Sequence, residues 1–276
     1  MLVKIESLSQ TTKDYNEDYI RYDTNYAIIL DGASPLIKLK NSNYICSKFV
    51  EIIGEELSKR ILNGNINLKQ VLNLSMESVL NSKMADEFIK QDMSASICIL
   101  RNIKDKLELY YLGDCSIYIL GNDFYRFRQD FVEKFDRKVI DNMILIHKDE
   151  KISIKNTMKN DKIKNLLLNN RNSKNTKVGY PILDTSLKGI NYGKEISLDA
   201  CDYDKILMCS DGFDRIFDLF KIIDAKTFVS TFRKKDLELY YDKMKSMSTE
   251  DDNYNRFPRF NSVDDTSAMF FEVSKD

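Results

Sequence analysis

Four short acidic stretches lie far apart along this chain, at Asn16-Glu17-Asp18, Asp31-Gly32, Ser210-Asp211-Gly212 and Asp264-Asp265-Thr266-Ser267, and three of them adjoin an apolar run that reads as a strand. A lone acid at a strand end costs little. Carboxylates brought together repel one another and raise each other's pKa, and a hard cation removes that conflict. Oxygen-only ligation suits Mg²⁺ or Mn²⁺, and the sequence supplies no competing soft or imidazole site. Taken singly, Asp31-Gly32 and Ser210-Asp211-Gly212 are equally compatible with ordinary strand-terminating turns, so the weight falls on their joint occurrence.

The apolar pattern sets the frame for these acids. Leu2 to Leu8 is compatible with a first strand, and Tyr26-Ala27-Ile28-Ile29-Leu30 is a continuous run ending directly in Asp31-Gly32, as a short buried strand would. From Ser42 to Leu62, Ile45, Phe49, Ile52, Ile53 and Leu57 recur at helical spacing, with Asn63-Gly64 as a stop signal. A second helix is expected from a cap at Asn67, with Leu68, Val71, Leu72, Ser75 and Val79 on one face. Then the period shortens. Ser96 to Leu100, Leu107 to Leu112 and Ser116 to Leu120 are separated by turn-prone residues and predict an antiparallel meander. Lys205 to Cys209 reads as a strand running into Ser210-Asp211-Gly212, helices are expected over 213–247, and Ala268 to Val273 is a closing strand. Strands, helices and strands without regular alternation predict an α+β fold with antiparallel sheets.

Composition excludes several function classes. Lys plus Arg (42) nearly cancels Asp plus Glu (43), so no global field argues for nucleic acid or a membrane. No aromatic and basic interleaving marks a nucleic-acid groove. Cys46, Cys98, Cys115, Cys201 and Cys209 are odd in number, lack C-x-x-C spacing and read as reduced, buried thiols. With no leader pattern and no apolar run near the ~18 residues of a spanning helix, a cytoplasmic location is expected.

At the level of motifs the chain resembles the PP2C-type metal-dependent Ser/Thr protein phosphatases, as a divergent, bacterial-like member. Lys13-Asp14-Tyr15-Asn16-Glu17-Asp18 resembles the opening R-x-x-x-E-D motif, and Leu30-Asp31-Gly32-Ala33-Ser34 the D-G motif. Asp92-Met93-Ser94-Ala95-Ser96 is similar to D-x-x-G-[ST]-[TS], and Tyr111-Leu112-Gly113-Asp114-Cys115 to the G-D-S turn. Cys209 to Asp214 resembles S-D-G-[LIF]-[WFT]-D, and Asp264-Asp265-Thr266-Ser267 the terminal D-[ND]-x-[ST]. All six stand in the family's order over nearly the whole chain.

The resemblance implies an αββα sandwich of two antiparallel β-sheets flanked by helices, formed as a single domain over 1–276, with two divalent cations, Mn²⁺ or Mg²⁺, between the sheet edges. It implies that Asp31 bridges both cations, that Asp211 and Asp264 hold the first, and that the Gly32 carbonyl helps hold the second. Glu17 and Asp18 would act near the second, directly or through its waters. Asp92 with Asp211 matches a third, weaker position. The implied activity is hydrolysis of phosphoserine and phosphothreonine by a metal-activated water, with phosphoprotein substrates from a Ser/Thr kinase pathway and a monomeric enzyme.

Departures from the pattern bear on the transfer. Lys13 stands where an Arg commonly grips phosphate, and a lysine is a point charge rather than a fork. Ala33-Ser34-Pro35 supplies no His after the D-G pair, Ser94-Ala95-Ser96 lacks the usual Gly, and Ser116 occupies an Arg position. None of these removes a proposed ligand. Spacing alone leaves Asp264 against Asp265 open, Asp114 is expected to shape a tight turn, and His147 lies far from every motif. Between 121 and 195 the resemblance fades into a variable flap. There Lys148, Lys151, Lys155, Lys159 and Lys162 would form one cationic stripe if helical, Asn169 to Asn175 reads as a loop, and Tyr180 is a candidate channel residue. Two other functions stay open: a PP2C-like pseudophosphatase serving as a binding module, and a small-molecule phosphatase.

Overall fold

The computed structural model describes residues 1–37 and 39–274. Its organising strand is the apolar run. In β3 (Tyr26–Ala33), Ala27, Ile28, Ile29 and Leu30 are all fully buried, because each face of the strand meets a different layer. Ile28 and Leu30 pack with Phe49, Val50 and Ile53 of α1 (Ser42–Ser58) and with Val71 and Leu72 of α2 (Leu68–Leu80). Ala27 and Ile29 face the other way, toward Ile117, Ile206, Met208 and Met269 of a second sheet. Each fully buried Ile or Leu among them contributes about 1.5–3 kcal/mol, so a strand without polar alternation is stabilised by having a layer on each face.

Two antiparallel sheets build the middle layers. One has the order β1-β11-β10-β6-β7, from β1 (Leu2–Gln10), β6 (Ser116–Gly121), β7 (Phe124–Phe127), β10 (Tyr203–Cys209) and β11 (Thr266–Val273). The other has the order β2-β3-β4-β5-β9, from β2 (Asp18–Asp23), β3, β4 (Ser94–Ile103), β5 (Lys106–Leu112) and β9 (Lys194–Asp199), with the short β8 (Leu183–Asp184) pairing β4. Helices α1, α2 and α3 (Ala85–Lys90) flank the second sheet. The first is covered by α7 (Asp211–Asp218), α8 (Ala225–Thr231) and α9 (Asp236–Glu250), through a cluster including Leu207, Phe213, Phe228, Leu237 and Phe270. Between β7 and β9 run α4 (Phe131–Glu150), α5 (Ile154–Thr157) and α6 (Asp161–Asn172), which share a small core of Val139, Met143, Ile146, Ile154 and Ile163. The α+β sandwich of antiparallel sheets is therefore as expected. Among the described residues no helix is long and apolar enough to cross a membrane.

Local chemistry sets the boundaries. Asn67 caps α2 with a reciprocal pair: its side chain accepts from the Gln70 backbone N–H at 2.8 Å, while the Gln70 side chain accepts from the Asn67 N–H at 3.1 Å. Arg101, only 1 % exposed, donates to the carbonyls of Ile61, Asn63 and Ile66 and fastens the α1–α2 connection to β4.

Three expectations are corrected. β4, β5 and β6 do not form one meander, because Gly113 turns the chain at φ +87° and β6 pairs with β10 in the opposite sheet. Asn169 to Asn172 is the last turn of α6 rather than loop, since α6 carries an Asn160 cap on its first N–H groups and Ile163 anchors it in the local core. The five lysines do not form one stripe. Lys151 takes a left-handed conformation, φ 55°, that ends α4, and the others fall on α4, α5, α6 and the turns between.

Candidate metal centre

The strand pairings carry the four acidic stretches to one end of the sandwich. Asp18 opens β2 and stands in register opposite Asp31 on β3, which in turn faces Ser96 on β4. In the other sheet, β10 ends at Cys209 and passes through Ser210 into α7 at Asp211, while Asp264 and Asp265 immediately precede β11. Two sheets are stitched together here: the Ser210 hydroxyl donates to Asp18 Oδ2 at 2.8 Å and accepts from the Ser267 N–H at 3.0 Å. The glycines of the two D-G pairs are places where backbone presses on backbone. A Cβ on Gly32 would lie 2.7 Å from the Glu17 carbonyl oxygen, and one on Gly212 would lie 2.0 Å from that of Asp265.

Electrostatics inside this cluster are adverse. Burial, and then repulsion from Asp265 and Asp211, drive the Asp18 carboxyl well above the ordinary range despite the Ser210 hydrogen bond. Burial followed by Asp18, Asp211, Asp114 and Asp264 does the same to Asp31. Asp211 is pushed up to about 6, by burial and by Asp114 and Asp264, with Arg215 opposing, and its carboxyl is hydrogen-bonded to that of Asp31. Glu17 Oε1 and Asp18 Oδ1 are buried and accept no hydrogen bond, although both residues are 5–6 % exposed. An ionised oxygen stripped of water and of donors is costly, and a hard cation is the partner that such oxygens fit.

Basic residues occupy the opposite side. Lys13 Nζ meets Glu17 at 2.7 Å, Asp265 at 3.0 Å and Asp264 at 3.6 Å. Arg215 donates to Asp264 Oδ2 at 2.8 Å. Burial alone would raise Asp264, but Arg215 and Lys13 outweigh it and hold this carboxyl below the ordinary range. Asp265 has a different task. It accepts from the Thr11 hydroxyl at 2.5 Å and from the Glu17 N–H at 2.9 Å, tying the 11–17 loop to the start of β11. Among the described residues no group of three or more His, Cys, Asp or Glu side chains is arranged to hold a metal ion as it stands. The acid oxygens left without donors lie at Glu17 and Asp18, whereas at Asp264 a guanidinium is already in place.

Asp92 is set apart from the others. It is exposed, has φ 53°, and pairs with Lys174 at 2.7 Å on the rim of a shallow pocket lined also by Arg171, Asp184 and Lys188. His147 Nδ1 donates to the Ile152 carbonyl, 2.5 Å away, within the 131–172 helices.

Sequence reasoning missed four members of this neighbourhood. Asp114 does follow a tight turn, yet it also accepts from the Ser96 hydroxyl and repels Asp31 and Asp211. Asp136 on α4 is pushed up to about 7 by burial, Asp114 and Asp211. Arg171, at the end of α6, donates to Ser94 Oγ at 3.1 Å and to the Ser34 carbonyl at 3.3 Å, so the 121–195 segment is fastened beside the D-G loop. Arg215 had a signal: it stands four residues after Asp211 and therefore on the same helix face.

No family model and no curated protein matches the sequence. Solved structures do. The Mycobacterium tuberculosis serine/threonine phosphatase PstP/Ppp is similar over 99% of this chain and 100% of its own, with 11% identity and a TM-score of 0.56. The catalytic domain of PstP in complex with two manganese ions is similar over 98% and 97%, with 12% identity and a TM-score of 0.54. A serine-threonine phosphatase 2C from Toxoplasma gondii is similar over 99% of both chains, with 11% identity and a TM-score of 0.51. Across nearly its whole length, this chain has the fold of the PP2C-type Ser/Thr phosphatases.

Proposed function

We propose that this protein is a divalent-cation-dependent phosphatase acting on phosphoserine and phosphothreonine in proteins. The observation that carries the reading is the convergence of acids from β2, β3 and α7, with two buried oxygens left without donors, at the end of a fold shared with Ser/Thr phosphatases. Asp18, Asp31 and Asp211 would hold the cation, with Glu17 and the Gly32 carbonyl beside them. When bound, Mn²⁺ or Mg²⁺ supplies a water acidic enough to attack phosphorus at neutral pH and offsets phosphoryl charge.

The chain's own residues do the rest. Ser210 holds Asp18, and the β2–β3 register holds Asp18 against Asp31, so the carboxylates are positioned before substrate arrives. Lys13, whose side chain is one-third exposed, offers the incoming phosphate a positive charge at the mouth of the cluster. A covalent cysteine route has no support: Cys46, Cys98, Cys115 and Cys209 are buried and their thiols are pushed up, chiefly by burial, while Cys201, expected to be buried, is exposed in the turn between β9 and β10, apart from the acidic stretches. In this reading the chain acts as one catalytic domain, monomeric and cytoplasmic, and the 121–195 segment is the flap where substrate choice resides. A second reading, a binding module with weakened catalysis, is favoured by the Arg215–Asp264 pair.

Phosphate release from a phosphothreonine peptide, a nucleotide and a sugar phosphate, each with Mn²⁺ and with EDTA, tests the proposal. Peptide hydrolysis that EDTA abolishes is expected. A preference for the small phosphates would replace the substrate class, and no turnover with any divalent metal by folded protein would favour the binding module.

A further inference from the structure

We infer that Arg215 stands in for one divalent cation beside Asp264, so that the centre is built to hold one divalent ion, on Asp18, Asp31 and Asp211. The inference rests on the cation-dependent reading above and narrows it.

Arg215 is carried on α7 four residues after Asp211 and therefore over the same face. Its Nη2 donates to Asp264 Oδ2 at 2.8 Å. Asn261 Nδ2 donates to the same oxygen at 3.1 Å, and the Asp265 N–H donates to Oδ1 at 3.0 Å, with Lys13 Nζ 3.6 Å away. Both oxygens of Asp264 are thus occupied by donors. The Arg215 side chain is 15 % exposed, its Nη1 is buried without a partner, and its charge acts on Asp211 and Asp31 as well as on Asp264. Because a guanidinium does not give up its proton, this positive charge is permanent. A dication placed against Asp264 would have to displace it and would be repelled by it.

Asp18, Asp31 and Asp211 present the converse case. Among the described residues none of the three is in an ion pair, and one oxygen of Asp18 has no donor. Four carboxylates therefore divide into one that is neutralised by the protein and three that are left for an external charge. Asp264 supports the site by fixing Arg215 rather than by ligating.

Isothermal titration of the metal-free chain with Mn²⁺ tests this without recourse to turnover. Wild type and Arg215→Lys, which keeps the charge, are expected to take one Mn²⁺ per chain. Arg215→Ala is expected to take two, since Asp264 Oδ2 then loses the guanidinium that occupies it. Asp264→Asn, which keeps the side-chain shape, serves if Arg215→Ala does not fold, and it should leave the first Mn²⁺ affinity unchanged within about threefold. Two Mn²⁺ in wild type would overturn the inference and leave the phosphatase reading standing, as would one Mn²⁺ in a folded Arg215→Ala or loss of the wild-type site in Asp264→Asn. No Mn²⁺ in any folded variant would overturn both.

Discussion

Helix α7 carries two aspartates three residues apart that meet opposite surroundings. Asp214, 2 % exposed, is saturated: Ser116, Tyr118 at 2.8 Å, Arg126 at 3.1 Å and Arg128 at 3.3 Å all donate to it. Asp211 has no such set of donors: burial and repulsion from Asp114 and Asp264 push its carboxyl up to about 6, with Arg215 opposing. A protein that can neutralise one buried carboxylate so thoroughly is able to neutralise its neighbour, and it does not. The paired acid joins β6, β7 and α7 into one body. In the reading proposed above, the unpaired acids lower the stability of the metal-free chain and leave a place for a cation, which is the exchange of stability for function that binding sites commonly make.

Breaking the paired side should have the largest effect. Asp214→Asn removes the charge that Arg126 and Arg128 share, and the cost is about 3 kcal/mol, or roughly 5–10 °C in Tm by thermal melt. A loss under 1 °C would show that Asp218, which also meets both arginines, is sufficient by itself.

Relieving the unpaired side should do the reverse. Asp31→Asn removes one repelling charge and is expected to raise the Tm of metal-free protein by about 2–5 °C; an unchanged or lower Tm would mean that the repulsion is already relaxed.

A pH series sharpens the same contrast. The folded-state pKa values of Asp18, Asp31 and Asp211 lie above their unfolded values, Asp211 at about 6 against 3.8. The folded chain therefore binds more protons than the unfolded chain over this window, and stability falls as pH rises from about 4 through 6 and beyond. Asp264, held low, contributes in the opposite sense, but below pH 4. Metal-free protein should melt lower at pH 7 than at pH 5, and saturating Mn²⁺ should remove most of that slope. A slope untouched by Mn²⁺ would place its origin elsewhere.

The smallest effect concerns the 121–195 segment. Since Lys148, Lys151, Lys155, Lys159 and Lys162 do not share one helix face, neutralising three of them should slow a phosphopeptide and an aryl phosphate alike, by less than about twofold. Selective slowing of the peptide would restore them as a docking surface.

How much of this could be read from the sequence follows from which interactions are local. The Tyr26 to Leu30 run announced a buried strand, and Asp31 at its end is the residue that strand geometry makes most visible. Asn67 with Gln70 is likewise a local signal, and the capping box forms as the spacing demands. Sheet membership is not local. Ser116 to Leu120 looks the same whether it continues β4 and β5 or crosses to β10, and only Gly113 at φ +87° and the pairing of Ser116 with Cys209 decide. Asp92 shows the limit of motif transfer: its neighbours match a pattern, yet Lys174, supplied from 82 residues away, takes its carboxylate. Asp136 lies in the segment without resemblance and has no sequence signal at all. Arg215 was legible by helical spacing from Asp211 but was hidden by reading Asp214 as the acid that closes the motif.

The most direct test of the central claim is hydrolysis of a phosphothreonine peptide with Mn²⁺ by wild type, Asp31→Ala and Asp211→Ala under identical conditions. The account predicts turnover by wild type that EDTA abolishes and a loss of at least about a hundredfold in each folded variant. Either variant retaining wild-type turnover would contradict a catalytic cation held by these aspartates.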